Sequence, residues 1–358
     1  MNKRIFKEQT SESGDIPFYK IGTFGATADA FISRELFETY KKKYPYPKIG
    51  DLLISASGSI GRVVEYKGND EYFQDSNIVW LKHDDRINNL FLKQFYSIVK
   101  WHGLEGSTIK RLYNKNILET TIHLPVFDEQ EKIGTLFKQL DDIITLHQRK
   151  LEQLKELKKA YLQAMFVPTN VQNNKVPKLR FANFEGNWEL CKLENVIDKQ
   201  IKGKVKVENL CNGSVEYLDA NRLNGGKPIY TKALPDVSER DIIILWDGSK
   251  AGKVYYGFKG VLGSTLKAYQ LKECANSQFI YQQLLDNQNN IYNNYRTPNI
   301  PHVVKNFSSI FPIWMTSFEE QSQMADILSN LDNRIILQQN LTDTMISLKK
   351  SYLQNMFI

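Results

Sequence analysis

The sequence repeats itself once, at a fixed offset of 191 residues, and the match runs without a gap through 38 residues, from 129 to 166 and from 320 to 357. Glu129-Gln130 recurs as Glu320-Gln321, and the same offset relates Leu140-Asp141 to Leu331-Asp332. Both copies close on Leu-Lys-Lys, Tyr-Leu-Gln and Met-Phe. A gap-free repeat of this length is typical of one rigid element that the chain contains twice.

Apolar residues in each copy follow a 4-3 alternation, which places them on one stripe of a helix. We therefore predict spacer helices at 129–166 and 319–358. At a helical rise of about 1.5 Å per residue, each is roughly 57 Å long. Pairing the copies as an intramolecular coiled coil would bury both stripes. The periodicity is compatible with antiparallel and with parallel pairing. The seam is predicted at Leu140, Ile144, Leu154, Tyr161, Leu331, Ile335, Met345 and Tyr352.

The segments that precede the two helices repeat more weakly. Residues 50–54 and 240–244 are both short apolar runs typical of buried strands, and a glycine-containing turn follows each. We predict one domain at 1–128 and a second at 177–318, joined through a linker at 167–176. The second half opens with Pro177 to Trp188, and no counterpart precedes Gly14. We therefore expect the first domain to be shortened at its N-terminus, which puts its full activity in question.

The net charge of +7 and the isoelectric point of about 9.0 favour a polyanionic partner, although a solvated basic surface would give the same values. No apolar run has the length of a signal peptide or a membrane span, so we expect a cytoplasmic protein without membrane contact. The cysteines Cys191, Cys211 and Cys274 are odd in number and widely spaced. This spacing indicates neither a disulfide framework nor a zinc site.

Motifs for catalysis are missing from the sequence. Residues 248–254 resemble a phosphate-binding loop, but the spacing between the glycines is too short, and Val254 stands where a Ser or Thr should bind magnesium. A glycine turn between strands is the simpler interpretation. The sequence has no methyltransferase active-site tetrapeptide, no glycine-rich cofactor turn and no His-Glu-x-x-His helix. We expect no catalytic residue, no metal, no cofactor and no small-molecule ligand.

Basic residues that alternate with aromatic and amide side chains are the strongest remaining signal. Lys and Arg can pair with phosphates or guanine, and Asn with adenine, so such segments suit the reading of a DNA groove. Ordinary exposed loops have similar compositions. The candidate DNA-binding residues are Lys41, Lys42, Lys43, Tyr44, Arg62, Lys110, Arg111, Arg222, Lys250, Lys253, Arg296 and Asn299.

The chain resembles the specificity subunits of type I restriction-modification systems. The likeness rests first on the repeat of a domain followed by a helix. It rests also on the motif inside each helix, in which Glu-Gln is followed by Leu-Asp and then by Leu-Lys-Lys-x-Tyr-Leu-Gln-x-Met-Phe, and on the segment 177–188 that opens the second half. The resemblance implies an α+β protein with two mixed α/β target-recognition domains, separated by two long helices packed as an antiparallel coiled coil. It also implies that the chain reads a bipartite site in double-stranded DNA. Methylation (M) subunits would dock around the helices, and a separate restriction (R) subunit would cleave.

Two other classes of protein remain as alternatives. One is a non-enzymatic coiled-coil scaffold that does not bind DNA, and the other is a self-sufficient nuclease or methyltransferase. A steep fall of DNA affinity with salt, together with a preference for a split site, would separate the specificity subunit from the scaffold. Activity of the purified chain alone, which we do not expect, would indicate the enzyme.

Overall fold

The structure is a computed structural model that describes residues 1–104, 110–168, 175–206 and 213–357. Cys211 and residues 169–174 of the predicted linker lie outside this part of the chain. The chain folds as two compact units. Unit 1 contains residues 1–148 and 340–357, and unit 2 contains Arg149–Gln339. Two long helices, α4 (Phe127–Met165) and α9 (Phe318–Met356), contribute one half each to both units.

Unit 1 packs two small sheets and three short helices around apolar cores centred on Ile54, Phe37 and Phe73. Its elements are β1 (Ile16–Tyr19), β2 (Phe31–Ile32), α1 (Arg34–Lys43), β3 (Leu52–Ser55), β4 (Val63–Glu65), β5 (Tyr72–Phe73), β6 (Ile78–Trp80), α2 (Asn89–Ile98) and α3 (Asn114–Leu118). The sheets have the orders β2-β1-β5 and β4-β3-β6. In the first, β1 is antiparallel to β2 and parallel to β5.

Unit 2 repeats this plan and adds strands to it. Its elements are β7 (Glu189–Lys192), β8 (Ile197–Lys202), β9 (Val215–Leu218), α5 (Ala220–Leu223), β10 (Ile229–Thr231), β11 (Ile242–Leu245), β12 (Val254–Tyr255), β13 (Val261–Leu262), β14 (Leu266–Leu271), α6 (Ser277–Asp286), α7 (Gln288–Asn294), α8 (Phe307–Ile310) and β15 (Pro312–Met315). The order β10-β9-β13 matches β2-β1-β5, and β12-β11-β14 matches β4-β3-β6. The added strands are β8, at the edge beside β14, and the pair β7-β15.

The repeated glutamine of each Glu-Gln pair joins its long helix to the short helix of the same unit. Gln130 is 1% exposed; its side chain accepts from the backbone N–H of Asn88 and donates to two backbone carbonyls. Gln321, fully buried, makes the same three bonds around Asn276. Asn88 and Asn276 are the N-caps of α2 and α6. A buried amide with its groups satisfied holds these elements in one arrangement, which explains why both copies have glutamine here.

The long helices pair in opposite directions. Within unit 1, Lys349 Nζ lies 2.5 Å from Asp141 Oδ1, and within unit 2, Lys158 Nζ lies 2.5 Å from Asp332 Oδ1. The start of α4 therefore pairs with the end of α9, and the end of α4 pairs with the start of α9. The two ion pairs are related by the 191-residue offset. The antiparallel arrangement implied by the resemblance, with its mixed α+β fold, is confirmed.

The predicted seam residues all lie at partly or fully buried positions of these helices. Leu140, Leu154 and Leu331 are buried. The half-buried positions are Ile144, Tyr161, Ile335, Met345 and Tyr352. The seam also contains the two lysines of the ion pairs, which the apolar periodicity did not indicate. A lysine can bury its aliphatic stem in an apolar seam while its amine reaches a carboxylate.

Candidate nucleic-acid interface

The glycine turn of unit 2 joins two buried strands. β11 is fully buried and β12 returns antiparallel to it. Gly248 and Gly252 have φ values of +113° and +92°, which favour glycine at both ends of the turn. Ala251 is fully buried and anchors the turn, whereas Ser249 and Lys250 are exposed. The segment is therefore a strand–turn–strand connection and not the strand–loop–helix of a phosphate-binding loop, as the glycine-turn interpretation expected.

Three hydrogen bonds bring other candidate residues to this turn. Arg296 Nη1 donates to the Ser249 carbonyl at 3.3 Å. The Gly248 N–H donates to the Pro301 carbonyl at 3.0 Å, so the loop that carries Asn299 lies beside the turn. Lys253 Nζ donates to Asn224 Oδ1 at 2.5 Å, next to α5. The candidate residues that gather here are Lys250, Lys253, Arg296 and Asn299, whereas Arg222 lies on the neighbouring α5.

These side chains differ in how free their charges are. Lys250 and Asn299 are exposed and make no side-chain hydrogen bond or ion pair to another described residue. Arg222 forms an ion pair with Glu216, so its charge is balanced within the unit. Arg296 Nε donates to the Tyr292 carbonyl, and its Cζ lies 4.8 Å from the centre of the Tyr292 ring. Lys250 is the cation most available to a phosphate.

Lys267 belongs to the same surface, although its sequence context does not predict this. On β14 it pairs in register with Lys202 of β8. Its Nζ lies 3.2 Å from the centre of the Trp246 ring, just before the glycine turn. Burial and the neighbouring Lys202 lower the pKa of Lys267, against an opposing effect of Asp247. Because side chains alternate along a strand, Lys267 lies on the other face of β14 from Leu266 and Ala268. The sequence alone does not predict that Lys202 is its neighbour, since this depends on the pairing of β14 with β8.

Lys253 has a similar environment at the other side of the turn. Burial, followed by repulsion from Lys250, lowers its pKa. Its amine lies 5.1 Å from the centre of the Tyr255 ring. A lysine whose charged form is disfavoured in the free protein gains stability when an anion binds beside it. The surface of unit 2 thus combines exposed and partly desolvated cations with aromatic rings.

Unit 1 has an equivalent turn after β3, with Gly58 and Gly61 at φ +64° and +84°. An isolated bridge pairs Ser57 with Arg111, as Asp247 pairs with His302 in unit 2. Arg111 Nη2 and Ser57 Oγ both donate to Asn77 Oδ1 at 2.8 Å. Exposed Lys110 precedes Arg111, and Arg62 ends the turn while donating to the Phe24 carbonyl at 2.7 Å. Arg62, Lys110 and Arg111 therefore lie around one turn.

The basic run Lys41–Lys43 and Tyr44 lie elsewhere in unit 1, at the C-terminal end of α1. Lys41 Nζ is 3.3 Å from Asp70 and lies over the rings of Phe37 and Tyr46. Lys42 and Lys43 are exposed. In the described part of the chain no hydrogen bond joins these residues to the turn at 57–61. Basic residues at a helix C-terminus also stabilise the helix dipole, which accounts for the run without a ligand.

The long helices carry exposed apolar residues in addition to their seam. Leu146 and Leu348 of unit 1 are 64% and 37% exposed, and their repeat equivalents in unit 2, Leu337 and Leu157, are 69% and 43% exposed. Exposed leucines at equivalent helix positions mark a surface that another molecule can cover.

The remaining features concern metal ligands, membrane spans and thiols. In residues 1–104, 110–168, 175–206 and 213–357, no group of three or more His, Cys, Asp or Glu could hold a metal ion. The helices within these ranges include none that is long and apolar enough to cross a membrane. Cys191 and Cys274 are free cysteines.

Two α/β units of one topology, each with a basic glycine turn and one half of each long helix, define a two-domain protein. Residues 1–156 and 185–345 match the family model described as the type I restriction modification DNA specificity domain. The chain belongs to this family, and the resemblance stated from its sequence is confirmed.

Curated relatives bear specificity-subunit names. A Haemophilus influenzae protein named as a putative type I restriction enzyme specificity subunit is 54% identical over 144 residues, which are 40% of this chain and 37% of that protein. The MjaVIII specificity subunit of a type I restriction enzyme from Methanocaldococcus jannaschii is 32% identical over 180 residues, 48% of this chain and 42% of that protein. The chain thus matches less than half the length of these relatives.

Solved structures share the fold. The crystal structure of a type I restriction-modification S subunit from M. genitalium has a TM-score of 0.70 at 16% identity, and the match covers all of this chain and 92% of that one. A chain from a study of type I restriction-modification complex assembly has a TM-score of 0.52 at 13% identity, with 97% of this chain and 92% of that one covered.

Proposed function

We propose that the chain is the DNA-specificity subunit of a type I restriction-modification complex and acts in the cytoplasm. It reads the two halves of a bipartite site in double-stranded DNA, one with each unit, and has no catalytic site or cofactor of its own. The methylation and restriction subunits carry the chemistry. The recognition domains are 1–128 and 177–318, the spacer helices 129–166 and 319–358, and the linker 167–176.

The observation that carries the proposal is the basic turn, present once in each unit. In unit 2, Lys250, Lys253 and Arg296 surround the turn, and in unit 1 Arg62, Lys110 and Arg111 surround its equivalent. Two related surfaces suit two half-sites, since each can place cations against phosphates beside a groove. Different side chains at equivalent positions would read different sequences. Family membership argues against a scaffold that does not bind DNA.

DNA binding can be tested by selecting duplexes from a random library and measuring the affinity for the selected site against salt. Each lysine–phosphate pair that a substitution removes should make the slope of log affinity against log salt less negative by about 0.9. We expect Lys250→Ala to remove one such pair. The control is Lys178→Ala, an exposed lysine of unit 2 away from the turn, which should leave the slope unchanged. Affinity that is independent of salt, or an equal change of slope for both variants, would contradict the proposal.

The exposed leucines of α4 and α9 are the proposed contacts for the methylation subunits. A charge placed in an apolar interface costs binding energy because it must be desolvated without a partner. We expect Leu146→Asp with Leu337→Asp to prevent co-purification with the methylation subunits. Leu118→Asp is the matched control, because Leu118 is 72% exposed and lies on α3. Unchanged assembly of the double variant would exclude this surface.

A further inference from the structure

Unit 1 has a large cavity beside the paired ends of its long helices. Its volume is about 1030 Å³, and its lining includes Phe91, Glu129, Ile133 and Phe357. Phe91 and Phe357 stack at 4.8 Å between ring centres. The lining joins an apolar wall to charged side chains, among them the carboxylates of Glu119 and Glu129 and the amine of Lys100, which is the composition of a binding site rather than of a packing defect.

The equivalent place in unit 2 is filled by that unit's own opening segment. Phe166 is the repeat equivalent of Phe357, and Phe279 lies three residues beyond the N-cap of α6, as Phe91 does in α2. Trp188 packs against both rings of unit 2, with ring centres 6.4 Å from Phe166 and 5.8 Å from Phe279. It is 1% exposed.

A second correspondence concerns charge. In unit 2 the guanidinium of Arg180 donates to both oxygens of Glu320, at 2.8 Å each. Glu320 is 1% exposed. Its repeat equivalent Glu129 lines the cavity of unit 1, is exposed, and has no hydrogen bond or ion pair from its carboxylate to another described residue. The same carboxylate is therefore bound by an arginine in one unit and open to a cation in the other.

A third correspondence concerns the backbone. In unit 2, β15 pairs with β7 of the opening segment, from Pro312 opposite Lys192 to Met315 opposite Glu189. The repeat offset maps β15 onto residues 121–124, which border the cavity of unit 1. These residues are in no strand, and the described part of the chain shows no hydrogen bond from their N–H groups. A segment whose backbone N–H groups are unpaired can accept an added strand.

We propose that the cavity of unit 1 binds a polypeptide segment with the pattern of residues 177–192. Its arginine pairs with Glu129, a tryptophan eight residues later packs on Phe91 and Phe357, and the following residues add a strand to 121–124. Met356 is 41% exposed whereas its equivalent Met165 is 2% exposed, so the incoming segment also covers the helix end.

The test measures the binding of a labelled synthetic peptide to the full chain in the absence of DNA. The peptide has the sequence of residues 175–192 with Cys191→Ser, and the chain is titrated into it. Fluorescence anisotropy should show saturable binding of one peptide per chain. A peptide with Trp188→Ala should bind at least tenfold more weakly, since aromatic anchors dominate such interfaces. The chain variant Glu129→Arg should also weaken binding at least tenfold, and Glu131→Arg, exposed on α4 outside the cavity, should not.

A charge swap distinguishes this site from every other. The peptide with Arg180→Glu should bind the Glu129→Arg chain at least tenfold better than it binds the unchanged chain. The proposal is overturned if the peptide does not bind. It is also overturned if Glu129→Arg leaves binding unchanged, which is the result expected if the peptide exchanges into unit 2. Concentration-dependent dimerisation that Glu129→Arg abolishes, with no peptide bound, would assign the cavity to a second copy and likewise overturn it. Because no DNA is present, the result does not depend on the proposed DNA binding.

Discussion

Glu320 and Glu129 are equivalent residues of the repeat in opposite environments, so they form a matched pair for measuring what the opening segment contributes to unit 2. Glu320 accepts two hydrogen bonds from Arg180 and one, at 2.5 Å, from Thr316 Oγ1. Its side chain is 1% exposed and that of Arg180 is 12% exposed. Truncating one partner of a buried ion pair costs about 3–5 kcal/mol, because the other charge is left unpaired.

We expect Glu320→Ala to cost unit 2 about 3 kcal/mol, the lower end of that range, because Arg180 keeps its bonds to the carbonyls of Glu185 and Gly186. At about 2–4 °C per kcal/mol for a unit of this size, the melting temperature of unit 2 should fall by about 6–12 °C. Glu129→Ala removes an exposed side chain and should shift the melting of unit 1 by less than about 2 °C.

Differential scanning calorimetry of the full chain measures both shifts, and hydrogen exchange assigns each transition to its unit, because two units need not melt together. Thr316→Val is an intermediate case, since it removes one bond and leaves the arginine pair. Equal shifts for Glu320→Ala and Glu129→Ala, or a shift below about 2 °C for Glu320→Ala, would refute the buried-pair reasoning.

Three further predictions concern the seam, the helix crossing and the basic turn. Lys158→Met should destabilise unit 2 by about 1–2 kcal/mol in urea denaturation, and Lys349→Met should destabilise unit 1 less, because its ion pair is more exposed and better screened. Gly134→Ala should destabilise unit 1 by about 1–2 kcal/mol in the same assay despite its better helix propensity, since a Cβ would lie 2.6 Å from Leu90 Cβ; unchanged stability would contradict this. DNA affinity should fall as pH rises, because burial lowers the pKa of Lys267 in the free chain and a bound phosphate raises it, so the complex holds more protons. Lys267→Arg, charged at every accessible pH, should flatten the profile, and an unchanged profile would exclude Lys267 from the interface.

The sequence predicted the long helices closely, because their pattern is local and occurs twice. The predicted ranges 129–166 and 319–358 compare with Phe127–Met165 and Phe318–Met356 in the structure. The same periodicity could not assign Lys158 and Lys349 to the seam, since a lysine reads as polar whether its amine is solvated or paired. Their carboxylate partners lie 174 and 208 residues away in sequence.

The basic turns show a different limit of sequence reasoning. The glycines at 248 and 252 predict a turn. Residue type alone indicates the five DNA-binding candidates of unit 2. The gathering of four of them around one turn depends on long-range contacts such as that of Arg296 with the Ser249 carbonyl, 47 residues apart in the chain. Lys202 and Lys267 were missed for the same reason, because strand pairing, not sequence proximity, makes them neighbours.

The repeated Glu-Gln pair shows that identical residues need not have identical surroundings. Gln130 and Gln321 make the same bonds in both units. Glu129 and Glu320 do not, because only unit 2 has a described arginine that reaches this carboxylate. The difference follows from the segment at 177–192. The sequence shows that this segment occurs once, but its position against the helix ends depends on long-range contacts that the sequence does not predict.

The most direct test of the proposed function is methylome sequencing of cells that contain this chain and its methylation subunits, compared with cells that lack only this chain. The account predicts modified adenines in one bipartite motif that appears with the chain. Replacing Lys250 and Arg296 by alanine together should relax or abolish recognition of one half of that motif and leave the other half unchanged. A methylome that is identical with and without the chain would contradict the proposal that it reads DNA for a modifying complex.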